Sequence, residues 1–124
     1  MRRVVLVVDS QPQRLDRWQR AVREAGWLPL PAPTVARARA LLQKVRPHLV
    51  LSAAHLADGH SADLLRALRA AAQLDHVPLA VLGALRPEEH EALAGDPRVC
   101  MRAREDRDAV IGLLTQRAGR LWGA

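Results

Sequence analysis

The sequence predicts one α/β domain, a doubly wound (βα)5 unit whose parallel five-stranded sheet runs in the order 2-1-3-4-5. Three observations predict it. Val4–Val8 forms an apolar, mostly β-branched run without alternation, as a strand buried on both faces should be. Segments with helical spacing separate the strands, and that alternation implies a parallel sheet covered by helices on both sides. The length of 124 residues suits a single core, so no second or output domain is expected.

The first strand is closed by a turn at Ser10–Pro12. From Gln13 to Ala25, Leu15, Trp18, Val22 and Ala25 recur at helical spacing, Asp16, Arg20 and Glu24 form i,i+4 pairs outside, and Gly26 ends the helix. Trp27–Leu30 is a short strand carrying Pro29, which places it at a sheet edge. Thr34 caps a helix to about Arg46, with Val35, Ala38, Leu42 and Val45 on one face, and Pro47 stops it. His48–Ala53 is the third strand. A loop with Asp58 and Gly59 leads to a helix over about Ala62–Gln73, capped by Ser61 and facing the core with Leu64, Leu65, Leu68 and Ala72. Val77–Leu82 is the fourth strand. Pro87 starts the next helix, with Glu88 and Glu89 in the first turn, where the dipole favours anions. Arg98–Met101 is the fifth strand, and Glu105 or Asp106 opens a last helix with Val110, Leu114 and Leu121 inward.

Composition excludes several classes. Hydrophobic residues at 49% and charged residues at 26% describe a folded globular chain rather than a disordered one. One cysteine, Cys100, permits no intramolecular disulfide and fits a buried small hydrophobe in a reducing cytoplasm. The apolar run behind Arg2 and Arg3 is too short for a signal peptide, and none approaches transmembrane length. The net charge of +6 comes almost entirely from arginine spread over all helices, which reads as a solvated surface; sequence-independent nucleic-acid binding ranks last among the functions.

Doubly wound sheets place their sites at the carboxyl ends of the strands, here at Asp9, Ser10 and Ala53. The junction Val8-Asp9, the run Arg46-Pro47-His48-Leu49-Val50-Leu51, the loop Leu56-Ala57-Asp58-Gly59 and the run Val77–Leu82 before a turn together resemble the receiver domain of response regulators, a CheY-like, flavodoxin-like fold. The resemblance covers Arg3 to about Arg117. It implies a set of functional positions: an acidic pair that holds magnesium, an aspartate that accepts phosphate, a hydroxyl, a lysine and a switch aromatic. Magnesium favours carboxylates, water and phosphate oxygens, while the hydroxyl and ammonium stabilise the phosphoryl oxygens. Here the acidic-pair positions hold Asp9 and, in place of the second acid, Ser10; the nucleophile position is Ala53, the hydroxyl position Gly83 and the lysine position Arg102, followed by Ala103 in place of the family's proline. Val99 stands at the aromatic position.

A methyl group cannot attack phosphorus. The expectation is therefore a degenerate pseudo-receiver that is not phosphorylated and is not an enzyme, with no cofactor and no tight magnesium binding. Two carboxylates about 4 Å apart repel by roughly 4 kcal/mol at an effective dielectric of about 20, a strain this chain avoids by keeping Asp9 alone. The expected partner is another signalling protein or a second copy, met through the last helix, where Ile111, Thr115, Ala118 and Trp122 form a second apolar stripe. The resemblance supports this, because the face of the fourth helix, fifth strand and fifth helix commonly mediates receiver contacts. An alternative is a small ligand in the emptied pocket bordered by Asp9, Ser10, Ala53, Gly83 and Arg102, with Arg102 holding an anion.

Other constellations carry less. His55, Asp58, His60 and Asp63 are of metal-ligating type, but a polar loop before a helix ordinarily carries such residues, and no metal site is expected. Ser52 points away from the pocket by strand alternation, and Ser10 lacks a base. Ser10-Gln11-Pro12-Gln13 has no glycine, which argues against a phosphate loop.

Overall fold

The computed structural model describes residues 3–117. In chain order the elements are β1 (Val4–Val8), α1 (Pro12–Glu24), β2 (Leu28–Ala32), α2 (Val35–Leu42), β3 (Leu49–Ala53), β4 (His55–Leu56), β5 (Gly59–His60), α3 (Ser61–Ala70), β6 (Leu79–Leu82), α4 (Pro87–Ala94), β7 (Val99–Arg102) and α5 (Arg107–Arg117). Five parallel strands form the sheet in the order β2-β1-β3-β6-β7. This is the expected 2-1-3-4-5 order once the small antiparallel hairpin β4–β5 is set aside. Helix α1 packs against α5, while α3 packs against α2 and α4, so the sheet is covered on both faces.

The central strands owe their position to residues with no polar demand. Val5, Val7, Val8, Leu49, Val50, Leu51, Leu79, Ala80 and Val81 are fully buried. A buried Val or Leu side chain contributes about 1.5–3 kcal/mol, so these strands anchor everything at their ends. Trp18 of α1 and Leu64 and Leu68 of α3 close the two faces.

Some element ends match the sequence reading and others depart from it for local reasons. Helix α1 ends in a Schellman turn: Trp27 N–H donates to the Val22 carbonyl and Gly26 N–H to Arg23, with Gly26 at φ +89°. Strand β2 starts and ends later than Trp27–Leu30, but it is an edge strand as expected. Helix α2 stops at Leu42 rather than Arg46, because the amides of Gln43 and Lys44 tighten onto carbonyls three residues back. The residue before Pro47 is also disfavoured in a helix. Helix α3 begins at Ser61 itself and ends at Ala70; His60 is its cap, and Ala72 is exposed while Leu74 takes the core position. Asp106 accepts from Ala109 N–H (2.9 Å) and caps α5, whose inward residues are Val110, Leu113 and Leu114. Leu121 lies outside the described residues.

Candidate functional site

The carboxyl ends of four neighbouring strands meet at one edge of the sheet. Asp9 and Ser10 follow β1, Ala53 ends β3, Gly83 follows β6 and Arg102 ends β7. Asp9 is held by its own N–H donating to the Ala32 carbonyl (3.1 Å), and it is only 1% exposed. A carboxylate buried this far requires a partner.

The partner is Arg14, one turn into α1. Its Nε donates to Asp9 Oδ2 at 2.5 Å and its Nη2 to Asp9 Oδ1 at 3.0 Å, a two-pronged ion pair. The Gln11 N–H adds a third donor to Oδ1 (3.0 Å). On its other side the same guanidinium reaches Glu105 Oε1 (3.2 Å). One cation thus lies between two carboxylates that are 96 residues apart in sequence, Asp9 after β1 and Glu105 after β7. Hydrogen bonding to Asp9, followed by its charge and that of Glu105, raises the Arg14 pKa above its already high ordinary value. The guanidinium carbon also stands 5.7 Å from the Trp18 ring, within cation–π range.

Backbone geometry fixes each member. The Gln11 side chain accepts from Arg14 N–H (3.1 Å) and, with Pro12 at the first helical position, starts α1 where Arg14 faces the strand ends. The Trp18 indole donates to the Glu105 carbonyl (2.8 Å) and holds the loop after β7 against α1. Gly83 adopts φ +118°, and a Cβ added there would stand 3.0 Å from Glu105 Oε2. Position 83 is thus both backbone-restricted and overlaid by Glu105.

The other expected site residues fall around this cluster without joining it. Ser10 Oγ donates to the Pro33 carbonyl (2.5 Å) and accepts from Ala57 N–H (2.8 Å), so it staples two loops together. Ala53 is 2% exposed and pairs with Leu82; its neighbour Ser52 is buried and donates to the Ala53 carbonyl (2.7 Å). Arg102 turns outward and donates to the Met101 carbonyl (2.9 Å). It lines, with Gly83, Leu85, His90 and Met101, an open cleft of about 360 Å³ that neither Asp9 nor Ala53 borders. Val99 is half-buried opposite Leu79. On α5, Ile111 is partly buried against the core, and exposed Thr115 donates to the Ile111 carbonyl (2.8 Å); Ala118 and Trp122 lie outside the described residues.

The polar loop after β3 divides its labour. Asp58 accepts from Val35 N–H (2.8 Å) and Ala36 N–H (3.0 Å), capping α2 from across the loop, and those two bonds lower its pKa. Asp63 accepts from His60 N–H (2.9 Å) and pairs with Arg66. His55 and His60 are left facing Glu89 of α4.

Arg14, Glu105 and Glu89 were not legible as site residues. An arginine on an amphipathic helix is ordinarily a solvated one, and the sequence has eighteen others of its charge to choose from. The one usable signal was a lone buried-strand acid, Asp9, followed one turn later by a cation.

The sequence matches no protein-family model and no curated protein. The likeness is one of structure. The chemotaxis response regulator CheY4 of Vibrio cholerae superposes with a TM-score of 0.82 at 18% identity, over 94% of this chain and 98% of that one. A CheY-like receiver protein from Methanospirillum hungatei gives 0.83 at 15% identity, over 98% and 97%. The receiver domain of a sensor histidine kinase from Pseudomonas aeruginosa, solved with magnesium in its active-site cleft, gives 0.80 at 17% identity over the whole of both chains. The chain therefore has the CheY-like receiver fold.

Proposed function

We propose that this chain is a receiver-fold signalling module of the two-component type that takes up no phosphoryl group and acts by presenting a fixed surface to another signalling protein or to a second copy of itself. The observation that supports this most is the Arg14 guanidinium between Asp9 and Glu105. In a phosphorylatable receiver the acid after the first strand serves a metal that neutralises an incoming phosphoryl group. Here a covalently attached cation already neutralises it, and Ala53 offers no nucleophile. With Asp9 already paired by a cation of its own chain, the site keeps one arrangement, and the surface it supports is constant rather than switched.

Incubation with acetyl phosphate, or with beryllofluoride and magnesium, tests the reading. The expected result is an unchanged mass and unchanged tryptophan fluorescence; a stable phospho-adduct overturns it. Light scattering across a concentration series then separates the two modes of presentation. Dimerisation that Trp122→Ala abolishes assigns the last helix to self-association, and a monomer throughout assigns the chain to the adaptor role.

A further inference from the structure

Independently of that reading, we propose that His55, His60 and Glu89 form a site for a zinc-class divalent cation that ties the β4–β5 hairpin to α4. The ligand atoms of the three residues all lie within 4.8 Å of one another. Two of them are set by the hairpin: His55 and His60 are direct cross-strand partners, and their rings meet edge to face with centroids 5.8 Å apart. Glu89 supplies the third from a different element. Its Oε2 stands 2.6 Å from His55 Nε2 and 3.7 Å from His60 Nδ1.

The donor set selects the ion. Two imidazoles and one carboxylate suit zinc and its neighbours, whereas magnesium demands oxygen ligands. Zinc bonds of about 2.0–2.2 Å place tetrahedral ligand atoms roughly 3.3–3.5 Å apart, so small rotations of two exposed histidines complete the geometry. Glu89 is already prepared as a ligand. Its Oε1 accepts from the Arg86 N–H (2.8 Å), which fixes the carboxylate and leaves Oε2 facing the histidines, an outer-shell arrangement of the kind that orients metal ligands. The charged groups sharing this surface are Asp63, Arg66, Arg86 and Glu88. Arg66 is occupied by Asp63, and Arg86 by Glu88 and Glu89, so neither cation is committed to Oε2. The fourth coordination position faces solvent and takes water. Asp58 and Asp63, which lie beside the two histidines in the sequence, serve the fold as helix caps instead.

The test is titration of the chelator-treated full chain with zinc chloride by calorimetry, and with cobalt(II) by visible absorption. One equivalent of zinc binding and an intense tetrahedral cobalt spectrum are expected. The double substitution His55→Asn/His60→Asn and the single Glu89→Gln each weaken binding at least about tenfold. His90→Asn, outside the triad, leaves it unchanged. Zinc affinity that survives the double substitution, or a weak octahedral cobalt spectrum, overturns the proposal, as does the lack of stoichiometric binding to the wild-type chain.

Discussion

The Trp18 indole N–H donates to the backbone carbonyl of Glu105 at 2.8 Å, joining the middle of α1 to the loop after the last strand. Trp18 is fully buried, so one residue both fills the core and sets where the Glu105 side chain can reach. Trp18→Phe removes the donor and leaves a gap, and is expected to cost about 2 kcal/mol of stability. A urea melt measures it; a variant as stable as the wild type would show that the bond carries nothing.

Removing Arg14 has two separable consequences. Arg14→Met leaves Asp9 buried without its cation, and is expected to cost about 2–4 kcal/mol, at the low end for a broken buried pair because the Arg14 side chain is 22% exposed. It also leaves Asp9 and Glu105 facing the same vacated space. The wild-type melting temperature should be indifferent to millimolar magnesium, whereas the variant should rise with it. Indifference in both chains would mean that the two acids do not share a site once the arginine is gone.

Placing a hydroxyl at position 83 or a carboxyl at position 53 should fail as single changes. Gly83→Thr forces a β-branched residue into φ +118° and against Glu105, with an expected cost of about 1–3 kcal/mol. Ala53→Asp introduces a second acid into a position only 2% exposed, one element away from an Asp9 whose cation is already engaged. That variant should be less stable at pH 7 than at pH 5, where the new carboxyl can protonate. Thermal melts at the two pH values decide it.

The acid limb of stability has named sources. Glu89 is lowered from 4.5 to about 2, chiefly by the Arg86 backbone N–H and then by His55 and the Arg86 side chain. Asp96 is lowered by its bond to the Arg69 guanidinium, Asp58 by the amides of Val35 and Ala36, and Asp106 by Arg104. A carboxylate whose pKa is lower folded than unfolded stabilises the chain above its unfolded value, and that stability is lost as pH falls through the folded one. Denaturation midpoints should therefore hold from neutrality to about pH 4.5 and decline from there toward about pH 2, as expected for such groups. Asp96→Asn should flatten part of that decline. An equal slope in the variant would exclude the Arg69 pair, whose geometry is 2.6 and 3.3 Å, as a contributor.

The legibility of this chain follows the range of the forces involved. Runs such as Val4–Val8 and Leu49–Leu51 declare buried strands because burial on two faces permits only apolar residues, and their alternation with helices then restricts the sheet order. The hairpin β4–β5 was missed because two-residue strands carry no periodicity. Ser61 has the side chain of an N-cap, yet His60 holds that position in α3 and its N–H donates to Asp63, a pairing that depends on the fold of the hairpin before it. The Asp9–Arg14–Glu105 cluster depends on a contact across nearly the whole chain, and the one local mark of Arg14 is its place a turn after Asp9.

The prolines of β2 have a consequence beyond the placement of that strand. Leu28 N–H points inward and donates to the Arg3 carbonyl, so by alternation the amides at 29 and 31 point outward, and both belong to proline. That margin of the sheet offers carbonyls but lacks those two donors, and an added strand could not complete a ladder on it. Growth by strand addition is blocked on that side, which leaves the helical faces and the opposite margin at β7 as the surfaces open to a partner.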